Sequence, residues 1–156
     1  MEKIIDSVNY NTRIAKVTLH NIVDRRGTAG EIFSALGQQG LNVELISTNS
    51  IGHGRADISF AVLETYLDEV CKTLETIKDK FGTKKIIIDR DCAMITIYGR
   101  MLSATAGIAG KIFSELSDRK INIEMISASL SAVSIVVKKE RVSEAVEAIR
   151  TLVTDF

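Results

Sequence analysis

The heptapeptide Gly30-Glu-Ile-Phe-Ser-Ala-Leu36 recurs later in the chain as Gly110-Lys-Ile-Phe-Ser-Glu-Leu116, at an offset of 80 residues. At the same offset, and without a gap, Asn42-Val-Glu-Leu-Ile-Ser47 aligns with Asn122-Ile-Glu-Met-Ile-Ser127. Half of the 18 residue pairs from Gly30 to Ser47 are identical. An ungapped match of this length indicates two copies of one structural unit of about 75–80 residues. We therefore expect this chain of 156 residues to contain two similar units in tandem.

Both copies have the same predicted order of strands and helices. Strands are predicted where apolar and polar residues alternate, and helices where apolar residues recur at intervals of three and four. In the first copy these patterns predict a strand at 15–19, a helix from Ala29, strands at 43–48 and 57–62, a helix at 67–81 and a strand at 86–88. In the second copy they predict a strand at 93–98, a helix at 108–118, strands at 122–127 and 133–137, and a helix from Val142 to Leu152. The second copy therefore lacks a counterpart to the final strand of the first.

The missing strand has a candidate at the other end of the chain. Residues 3–10 are rich in Ile and Val and precede the first copy. A sheet with an empty edge position would expose unpaired N–H and C=O groups, so we expect this segment to fill it. The first unit, residues 11–90, is then inserted into the second unit, which comprises 1–10 and 91–156. The expected fold class is α+β, with two βαββαβ units whose antiparallel sheets carry helices on one face.

Composition and charge argue against several function classes. The chain has 20 Lys and Arg residues against 20 Asp and Glu residues, so a bulk electrostatic contact with nucleic acid or an anionic membrane is not expected. No apolar stretch approaches the roughly 20 residues of a membrane span, and the N-terminus does not resemble a secretory signal. Cys71 and Cys92, with His53 and with His20 at the end of a predicted strand, offer neither a disulfide framework nor a metal-ligand set. We expect a cytoplasmic protein without a cofactor.

Two parts of the chain resemble a known regulatory domain. The run from Val17 to Gly27, followed by Ile32-Phe33 and Asn42-Val-Glu-Leu-Ile-Ser47, resembles the first ACT domain of aspartate kinases. Ile121-Asn-Ile-Glu-Met-Ile-Ser127 and the following Val133-Ser-Ile-Val-Val137 resemble the second ACT domain of the same enzymes. The resemblance covers nearly the whole chain and implies two ferredoxin-like units.

The resemblance implies a regulatory module that binds lysine or threonine and mediates feedback inhibition of the biosynthesis of aspartate-family amino acids. It implies no catalytic activity in the chain itself, because the chain lacks the Lys-Phe-Gly-Gly-Thr-Ser-like segment that members of the family carry near the start of the kinase domain. The catalytic domain of aspartate kinase, an ATP-dependent phosphotransferase, is then expected in cis or as a separate partner.

A free amino acid needs one partner for its carboxylate and another for its ammonium. The segment Asn21–Gly27 leads into a predicted helix start, where unpaired N–H groups and the helix dipole favour a carboxylate. Its Asp24 can accept from the ammonium, and its final glycine permits close approach of the backbone. We expect Asn42 and Asn49 beside this loop, because the strand from Asn42 should neighbour the strand that ends at His20. The candidate effector-binding residues of the first copy are Asn21, Ile22, Asp24, Gly27, Thr28, Ala29, Asn42, Val43 and Asn49.

The corresponding loop of the second copy, from Gly99 to Gly107, is longer and carries no acidic residue. Members of the family usually have a proline before the glycine of each helix start, where this chain has Arg26 and Ala106, so effector affinity or identity can differ. Effectors in the family often lie where ACT units of two chains meet. Each four-stranded sheet also has edges and an open face that a unit of this size cannot cover, so we expect a homodimer. The residues of the second copy that we expect to face the first unit of a partner chain are Glu124, Ser127 and Ser129.

Three other interpretations of these residues stay open. Asp24 and Gly27 can form a turn and cap a helix without binding a ligand, which leaves a structural dimerisation module. An RNA-binding domain of the same topology needs aromatic residues on its central strands, and the third strand, residues 55–62, has Phe60 alone. A small acylphosphatase-like hydrolase needs a loop arginine near an asparagine, a requirement that Arg25 or Arg26 could imitate together with Asn42.

Overall fold

The computed structural model describes residues 3–152, which form two compact units. Residues 13–90 form the first unit, and the second unit combines 3–12 with 91–152. The strands and helices in chain order are β1 (Ser7–Asn11), β2 (Ile14–Val23), α1 (Thr28–Gln38), β3 (Leu45–Gly52), β4 (Arg55–Leu63), α2 (Leu67–Ile77), β5 (Lys85–Asp89), β6 (Cys92–Tyr98), α3 (Ile108–Asp118), β7 (Met125–Ala128), β8 (Ala132–Lys138) and α4 (Val142–Leu152). Each unit therefore contains one four-stranded sheet and two α-helices in the described part of the chain.

The sheet of the first unit is antiparallel and has the strand order β3-β4-β2-β5. The helices α1 and α2 pack on one face of this sheet, where alternate residues of β2 and β4 are apolar. Phe33 on α1 contacts Phe60 on β4 edge to face, with ring centroids 5.3 Å apart. The buried core between sheet and helices includes Val17, Leu19, Ile32, Leu36, Ile58, Phe60, Val62, Val70 and Leu74.

The sheet of the second unit has the strand order β1-β6-β8-β7 and is completed by the N-terminal segment. β1 pairs antiparallel with β6, with Ser7 opposite Tyr98. Ile5, just before β1, is buried in the core of this unit. A Cβ atom at Gly99 would lie 2.0 Å from the Ile4 carbonyl oxygen, so the backbone of the N-terminal segment passes too close for any other residue at this position.

The predicted fold class is confirmed, because two antiparallel four-stranded sheets carry two helices each. The strand predicted to end at Leu19 continues to Val23. A bulge between Leu19 and Ile22 interrupts the pairing with β4, which resumes at Ile22 and Val23. Asn21 adopts a left-handed φ of 56° in this bulge. The prediction that His20 ends a strand is therefore wrong, and His20 lies within β2.

The strand β4 lies between β2 and β3, so the expectation that β2 and β3 are neighbours is wrong. In this split βαβ arrangement the helix carries the chain across the sheet and leaves a gap of one strand, which a later antiparallel strand fills. Because β2 and β3 both run antiparallel to β4, their C-terminal ends lie at the same end of the sheet, where Val23 and Gly52 each pair with Arg55. The N-terminal end of β3 lies at the opposite end of the sheet, where Leu45 pairs with Ala61.

Candidate functional site

A cavity of about 210 Å³ opens at the N-terminus of α1 in the first unit. It lies at the end of the sheet where the strands β2 and β3 terminate. Its lining residues are Asp24, Arg25, Gly27, Thr28, Ala29, Gly30, Thr48, Ser50, Ala56 and Ile58. The lining therefore combines backbone amides of a helix start with a carboxylate, a guanidinium and several hydroxyl groups.

The helix α1 begins without a side-chain cap. Gly27 precedes the helix with a left-handed φ of 91° and has no side chain to offer. The N–H of Glu31 donates to the Gly27 carbonyl at 2.9 Å, which starts the intrahelical ladder. The N–H groups of Ala29 and Gly30 have no hydrogen-bond partner among the described residues, and both residues line the cavity. Two unpaired amides at the positive end of a helix dipole favour a bound anion.

The loop between β2 and α1 is held by hydrogen bonds around Thr28, which is 2% exposed. Thr28 Oγ1 donates to the Val23 carbonyl at 3.1 Å and accepts from the Arg25 N–H at 3.4 Å. The Asp24 N–H donates to the Gly54 carbonyl in the β3–β4 turn at 2.8 Å. These bonds fix the backbone of the loop, while Asp24 itself stays exposed at the cavity.

Two hydroxyl groups from β3 complete the cavity. Thr48 and Ser50 pair in register with Ile58 and Ala56 of β4. Directly paired residues of an antiparallel sheet share a face, so all four side chains point to the side that α1 covers. Asn49 lies between Thr48 and Ser50 in the strand and therefore points to the opposite face.

The acidic residue in the first turn of α1 is neutralised by neighbouring cations. The Glu31 carboxylate lies 2.9 Å from Lys80 Nζ and 3.7 Å from Arg25 Nη1. The hydrogen bond from Lys80, aided by the charges of Lys80 and Arg25, holds the pKa of Glu31 below its usual range. An anion at the helix N-terminus consequently meets a compensated charge rather than a bare carboxylate.

Six of the nine effector-binding residues predicted in the first unit lie in or close to the β2–α1 loop. Four line the cavity, namely Asp24, Gly27, Thr28 and Ala29. The other two have structural contacts: Ile22 is buried in the core, and Asn21 occupies the bulge. The Asn21 N–H donates to Asp57 Oδ1 at 2.8 Å, and its Oδ1 accepts from Arg55 Nε at 2.7 Å. Arg55 also donates to the carbonyls of Asn21 and Gly82. These contacts hold the backbone that precedes the loop, and neither Asn21 nor Arg55 lines the cavity.

Asn42, Val43 and Asn49 do not line the cavity. Asn42 and Val43 precede β3 at the opposite end of the sheet, where the Glu44 N–H donates to the Ala61 carbonyl at 2.8 Å. Val43 is partly buried against the core, and Asn49 points away from the helices. The prediction that these residues lie beside the loop is therefore wrong: β4 separates β2 from β3, and only the C-terminal end of β3 reaches the loop.

The residues predicted to contact a partner chain belong to the β7 region of the second unit. The Glu124 carboxylate lies 3.3 Å from Lys138 Nζ. Ser129 Oγ accepts from the Ala132 N–H at 3.2 Å in the turn that joins β7 to β8. Ser127 is exposed in β7. These contacts support the hairpin, and the role of the three residues toward a second chain stays a prediction.

The second unit keeps the helix start but has apolar residues at four positions where the first unit has polar lining residues. Helix α3 also begins after a left-handed glycine, Gly107 with φ 82°. Counterparts of Asp24, Thr28, Thr48 and Ser50 at the repeat offset are Ala104, Ile108, Ala128 and Leu130. The longer loop of this unit buries Leu102 in the core. The two units are therefore similar in backbone and different in the chemistry of this position.

Several lining residues were not selected from the sequence as effector-binding. They are Arg25, Gly30, Thr48, Ser50, Ala56 and Ile58. Arg25 and Gly30 flank the selected residues, and a window widened by one residue would have included them. The β3 and β4 residues required the correct strand order, because the alternation in β3 does not by itself tell which face reaches the helix start.

The rest of the described chain adds no second chemical centre of the usual kinds. Within residues 3–152, no group of three or more His, Cys, Asp or Glu side chains is arranged to hold a metal ion. Cys71 is partly buried on α2, and burial raises the pKa of its thiol. In the same range, no helix has the length and apolar character needed to cross a membrane.

Sequence comparisons connect this geometry to known proteins. A family model described as the ACT domain matches residues 19–77 and 95–152, one match in each unit. An aspartate kinase of Stutzerimonas stutzeri is 29% identical over 150 residues, which covers 96% of this chain and 36% of the relative. An aspartokinase of Thermus thermophilus is 28% identical over 151 residues, covering 96% of this chain and 37% of the relative. The chain thus spans a little more than a third of the length of these relatives.

Solved structures show the same architecture. The ligand-free regulatory subunit of aspartate kinase from Thermus thermophilus matches this structure with a TM-score of 0.89 at 28% sequence identity. The match covers 96% of this chain and 98% of that subunit. Aspartate kinase from Synechocystis has a TM-score of 0.89 at 29% identity and covers 98% of this chain and 27% of that chain. With two family matches that together cover most of its residues, this chain belongs to the ACT-domain family, as a tandem pair of ACT domains similar to the regulatory region of aspartate kinases.

Proposed function

We propose that this chain is the amino-acid-sensing regulatory part of an aspartate kinase, and that it binds threonine or lysine to mediate feedback inhibition. The observation that carries the proposal is the cavity at the N-terminus of α1, where two unpaired amides lie beside an exposed carboxylate. Similarity to a regulatory subunit of aspartate kinase over nearly the full chain supports the regulatory role. The catalytic domain acts in cis or as a separate chain, in the cytoplasm.

The two charged groups on the α-carbon of a free amino acid match two kinds of polar group in the lining of this cavity. The N–H groups of Ala29 and Gly30 donate to the α-carboxylate, which also gains from the helix dipole. Asp24 accepts from the α-ammonium. Gly27 lacks a Cβ, so the ligand can approach the backbone of the loop closely. The volume of about 210 Å³ suits a single amino acid rather than a larger metabolite.

Of the two candidate effectors, the lining favours threonine. Thr48 and Ser50 offer hydroxyl partners to a short hydroxylated side chain. Lysine requires a second anionic partner for its ε-ammonium, whereas Asp24 is the one carboxylate in the lining and Arg25 brings a like charge. An unpaired ammonium in a partly enclosed site is costly, so we expect threonine to bind more tightly than lysine.

The regulatory effect follows from what the ligand connects. A ligand that contacts the first turn of α1, Asp24 and β3 links the β2–α1 loop to the C-terminal half of β3. It favours the arrangement in which these elements are correctly spaced, and it shifts the kinase only by its differential affinity for the two states. Coupling free energies of this type are typically about 1–3 kcal/mol.

The first test is calorimetric titration of the full chain with L-threonine and with L-lysine, using a variant that removes one amide donor. Ala29→Pro deletes the N–H while proline remains tolerated in the first helical turn. Loss of a hydrogen bond to a charged group predicts weakening of roughly 10- to 100-fold. Ala109→Pro at the repeat position of α3 is the matched control and should leave the affinity unchanged. Equal effects of the two variants would contradict the assigned cavity.

A second variant addresses the ammonium partner. Asp24→Ala removes the carboxylate without touching the backbone bond from its N–H to Gly54. We expect saturable threonine binding to disappear, while Asp118→Ala, which removes an exposed acid at the end of α3, leaves binding intact. If neither amino acid binds the folded chain at millimolar concentration, the sensing role is wrong and the structural dimerisation module becomes the better interpretation.

The second unit has its own candidate role, which its apolar residues at the corresponding positions favour. Ala104 and Leu130 stand at the repeat positions of Asp24 and Ser50, where they offer no partner to an ammonium or to a polar side chain. We infer that it is a structural counterpart of the sensing unit. The same titration tests this inference, because it predicts one bound effector per chain, and a stoichiometry of two would overturn it.

A further inference from the structure

The strand β2 contains a bulge immediately before the loop that forms half of the cavity. Leu19 pairs with Ile58, and Ile22 pairs with Ala56. The two residues between Leu19 and Ile22 in β2 therefore oppose the single residue Asp57 in β4, which is the arrangement of a β-bulge. Bulges often re-aim a strand beside a functional site, so this one is examined for its effect on the cavity.

The bulge decides which face of the strand meets the helices as the chain enters the loop. If the register that precedes the bulge continued, Ile22 would stand opposite Arg55 and would leave the core. A shift of one residue would also reverse the side on which Asp24 follows, because side chains alternate along a strand. The observed pairing of Ile22 with Ala56, a lining residue, keeps this end of β2 directed toward the cavity.

The Asp57 side chain contacts both residues of the bulge. Its Oδ1 accepts from the Asn21 N–H at 2.8 Å, and His20 Nδ1 lies 2.9 Å from the same oxygen. The extra residue of a bulge leaves the backbone ladder, so its N–H needs another acceptor. Asp57 provides that acceptor, and its side chain is only 26% exposed, which limits competition from water.

Arg55 holds the same bulge through its guanidinium group. Its Nε donates to Asn21 Oδ1 at 2.7 Å, and its Nη2 donates to the Asn21 carbonyl. The same Nη2 donates to the Gly82 carbonyl at 2.8 Å, which connects the bulge to the turn before β5. Asn21 is thus fixed in its left-handed conformation through its N–H, its carbonyl and its side chain.

We propose that Asp57 is a positioning residue for effector binding, which holds the bulge of β2 in the conformation that presents Asp24 and the first turn of α1 to the ligand. Asp57 does not line the cavity, so it acts through the loop and not by contact with the ligand. The inference rests on the proposed effector site and adds to it a residue from the sheet face that the helices do not cover.

Titration with L-threonine tests this role with two variants of one residue. Asp57→Ala removes the acceptor, whereas Asp57→Asn removes the same charge and retains an acceptor oxygen. We expect threonine affinity to fall by about tenfold or more in Asp57→Ala, since a small misplacement of a binding group is costly. Asp57→Asn should stay close to the wild type. Equal weakening of the two variants would assign the effect to charge and would overturn the proposal.

Ser59→Ala is the matched control for general loss of stability. Ser59 Oγ and Thr18 Oγ1 lie 2.7 Å apart, in the regular part of the pairing between β2 and β4. The variant removes another side-chain hydrogen bond between the same two strands without touching the bulge. It should lower stability and leave threonine affinity unchanged. If Ser59→Ala weakens threonine binding as much as Asp57→Ala does, the positioning role is wrong.

A change of backbone preference tests the bulge with the Asp57 carboxylate in place. Asn21→Gly and Asn21→Ala both remove the side-chain acceptor of Arg55, but glycine adopts a left-handed φ freely and alanine does not. We expect Asn21→Ala to bind threonine about fivefold more weakly than Asn21→Gly. Equal affinities would contradict the importance of the bulge conformation, and this comparison applies even if Asp57→Ala does not fold.

Amide hydrogen exchange of the ligand-free chain tests the same role without an effector. The Asp24 N–H donates to the Gly54 carbonyl, a bond that requires the correct exit of β2 into the loop. Asp57→Ala should lose protection at Asn21 and Asp24, whereas Asp57→Asn should retain it. Retained protection at Asp24 in Asp57→Ala would overturn the proposal whether or not threonine binds. The expected exchange pattern in a chain that binds no threonine would refute the sensing role alone.

Discussion

At the scale of single residues, Thr28 illustrates how one hydroxyl group holds the candidate site. Among residues 3–152, Thr28 is the only polar residue that is buried. Burial without hydrogen bonds would be costly, and Thr28 Oγ1 both donates to Val23 and accepts from Arg25. The loop that carries Asp24 therefore depends on a side chain whose hydroxyl faces the loop backbone.

We predict that Thr28→Val lowers the free energy of unfolding of the first unit by about 1–2 kcal/mol. Valine has nearly the same shape, but it leaves the Val23 carbonyl and the Arg25 N–H without their partner. Thr28→Ser retains the hydroxyl and should lose less. Urea denaturation followed by circular dichroism measures both variants. Equal stability of Thr28→Val and Thr28→Ser would show that the hydroxyl contacts do not stabilise the loop.

At the scale of elements, the first turn of α1 combines an uncapped start with a compensated charge. Gly27 provides no side-chain cap, and Glu31 is held by Lys80 and Arg25 rather than by the helix amides. The lowered pKa of Glu31 means that its carboxylate is more favourable in the folded state than in the unfolded chain. This ion pair leaves the amides of Ala29 and Gly30 available to a ligand.

We predict a pH-dependent stability difference between the wild type and Glu31→Gln. The folded pKa of Glu31 lies below its unfolded value near 4.5, so its contribution is fully present above that pH and disappears as the pH falls through the lower folded value. Urea titrations from about pH 7 to about pH 3 measure this loss. In a Lys80→Gln background the difference should shrink at every pH. A difference that grows on acidification would contradict this assignment.

At the scale of the whole molecule, the order of strands ties the start of the chain to residues far along it. The Arg100 N–H donates to Asp6 Oδ2 at 3.0 Å, and Arg150 Nη2 donates to the Val8 carbonyl at 3.4 Å. With Ile5 buried in the same core, residues 3–12 are an integral part of the second unit. Contacts between residues so distant in sequence slow folding, because a long loop must close first.

We predict that Ile5→Asp unfolds the second unit. The substitution places a charge in an apolar core, which is strongly unfavourable. Amide hydrogen exchange should show lost protection in β6, β8, α3 and α4, whose core residues surround Ile5. Lys3→Asp changes charge at an exposed position nearby and should retain protection. Retained protection in Ile5→Asp would mean that the N-terminal segment does not support this core.

Much of the fold was predictable from local patterns. The repeat indicated two units, and alternation and helical spacing located all eight strands and four helices of the described chain to within a few residues, with α3 at its predicted bounds. Strand ends differ where a bulge prolongs β2 to Val23, where β3 continues to Gly52 instead of ending at residue 48, and where β7 begins at Met125 instead of Asn122. All three depend on pairing with a partner strand, which local sequence patterns do not report.

The candidate site also has one part that local sequence patterns predict and one part that depends on strand pairing. The half formed by Asp24, Gly27, Thr28 and Ala29 is contiguous in the chain, and the chemistry of a helix start identified it from the sequence. The other half comes from β3 and β4, and the sequence argument chose Asn42 where the structure has Thr48 and Ser50 at the cavity. Because β3 runs in the same direction as β2, its C-terminal end reaches the loop and Asn42 lies at the opposite end of the sheet.

The sequence by itself determined the tandem repeat, the α+β class, the relationship to the ACT family and the loop that begins the candidate site. These properties follow from residue identity and from short-range periodicity, which one chain displays without a partner strand. Only the tertiary structure decided that β4 separates β2 from β3 and which strand face meets α1. Those properties arise from hydrogen bonds between residues distant in the chain, and they are settled by the packing of the whole unit.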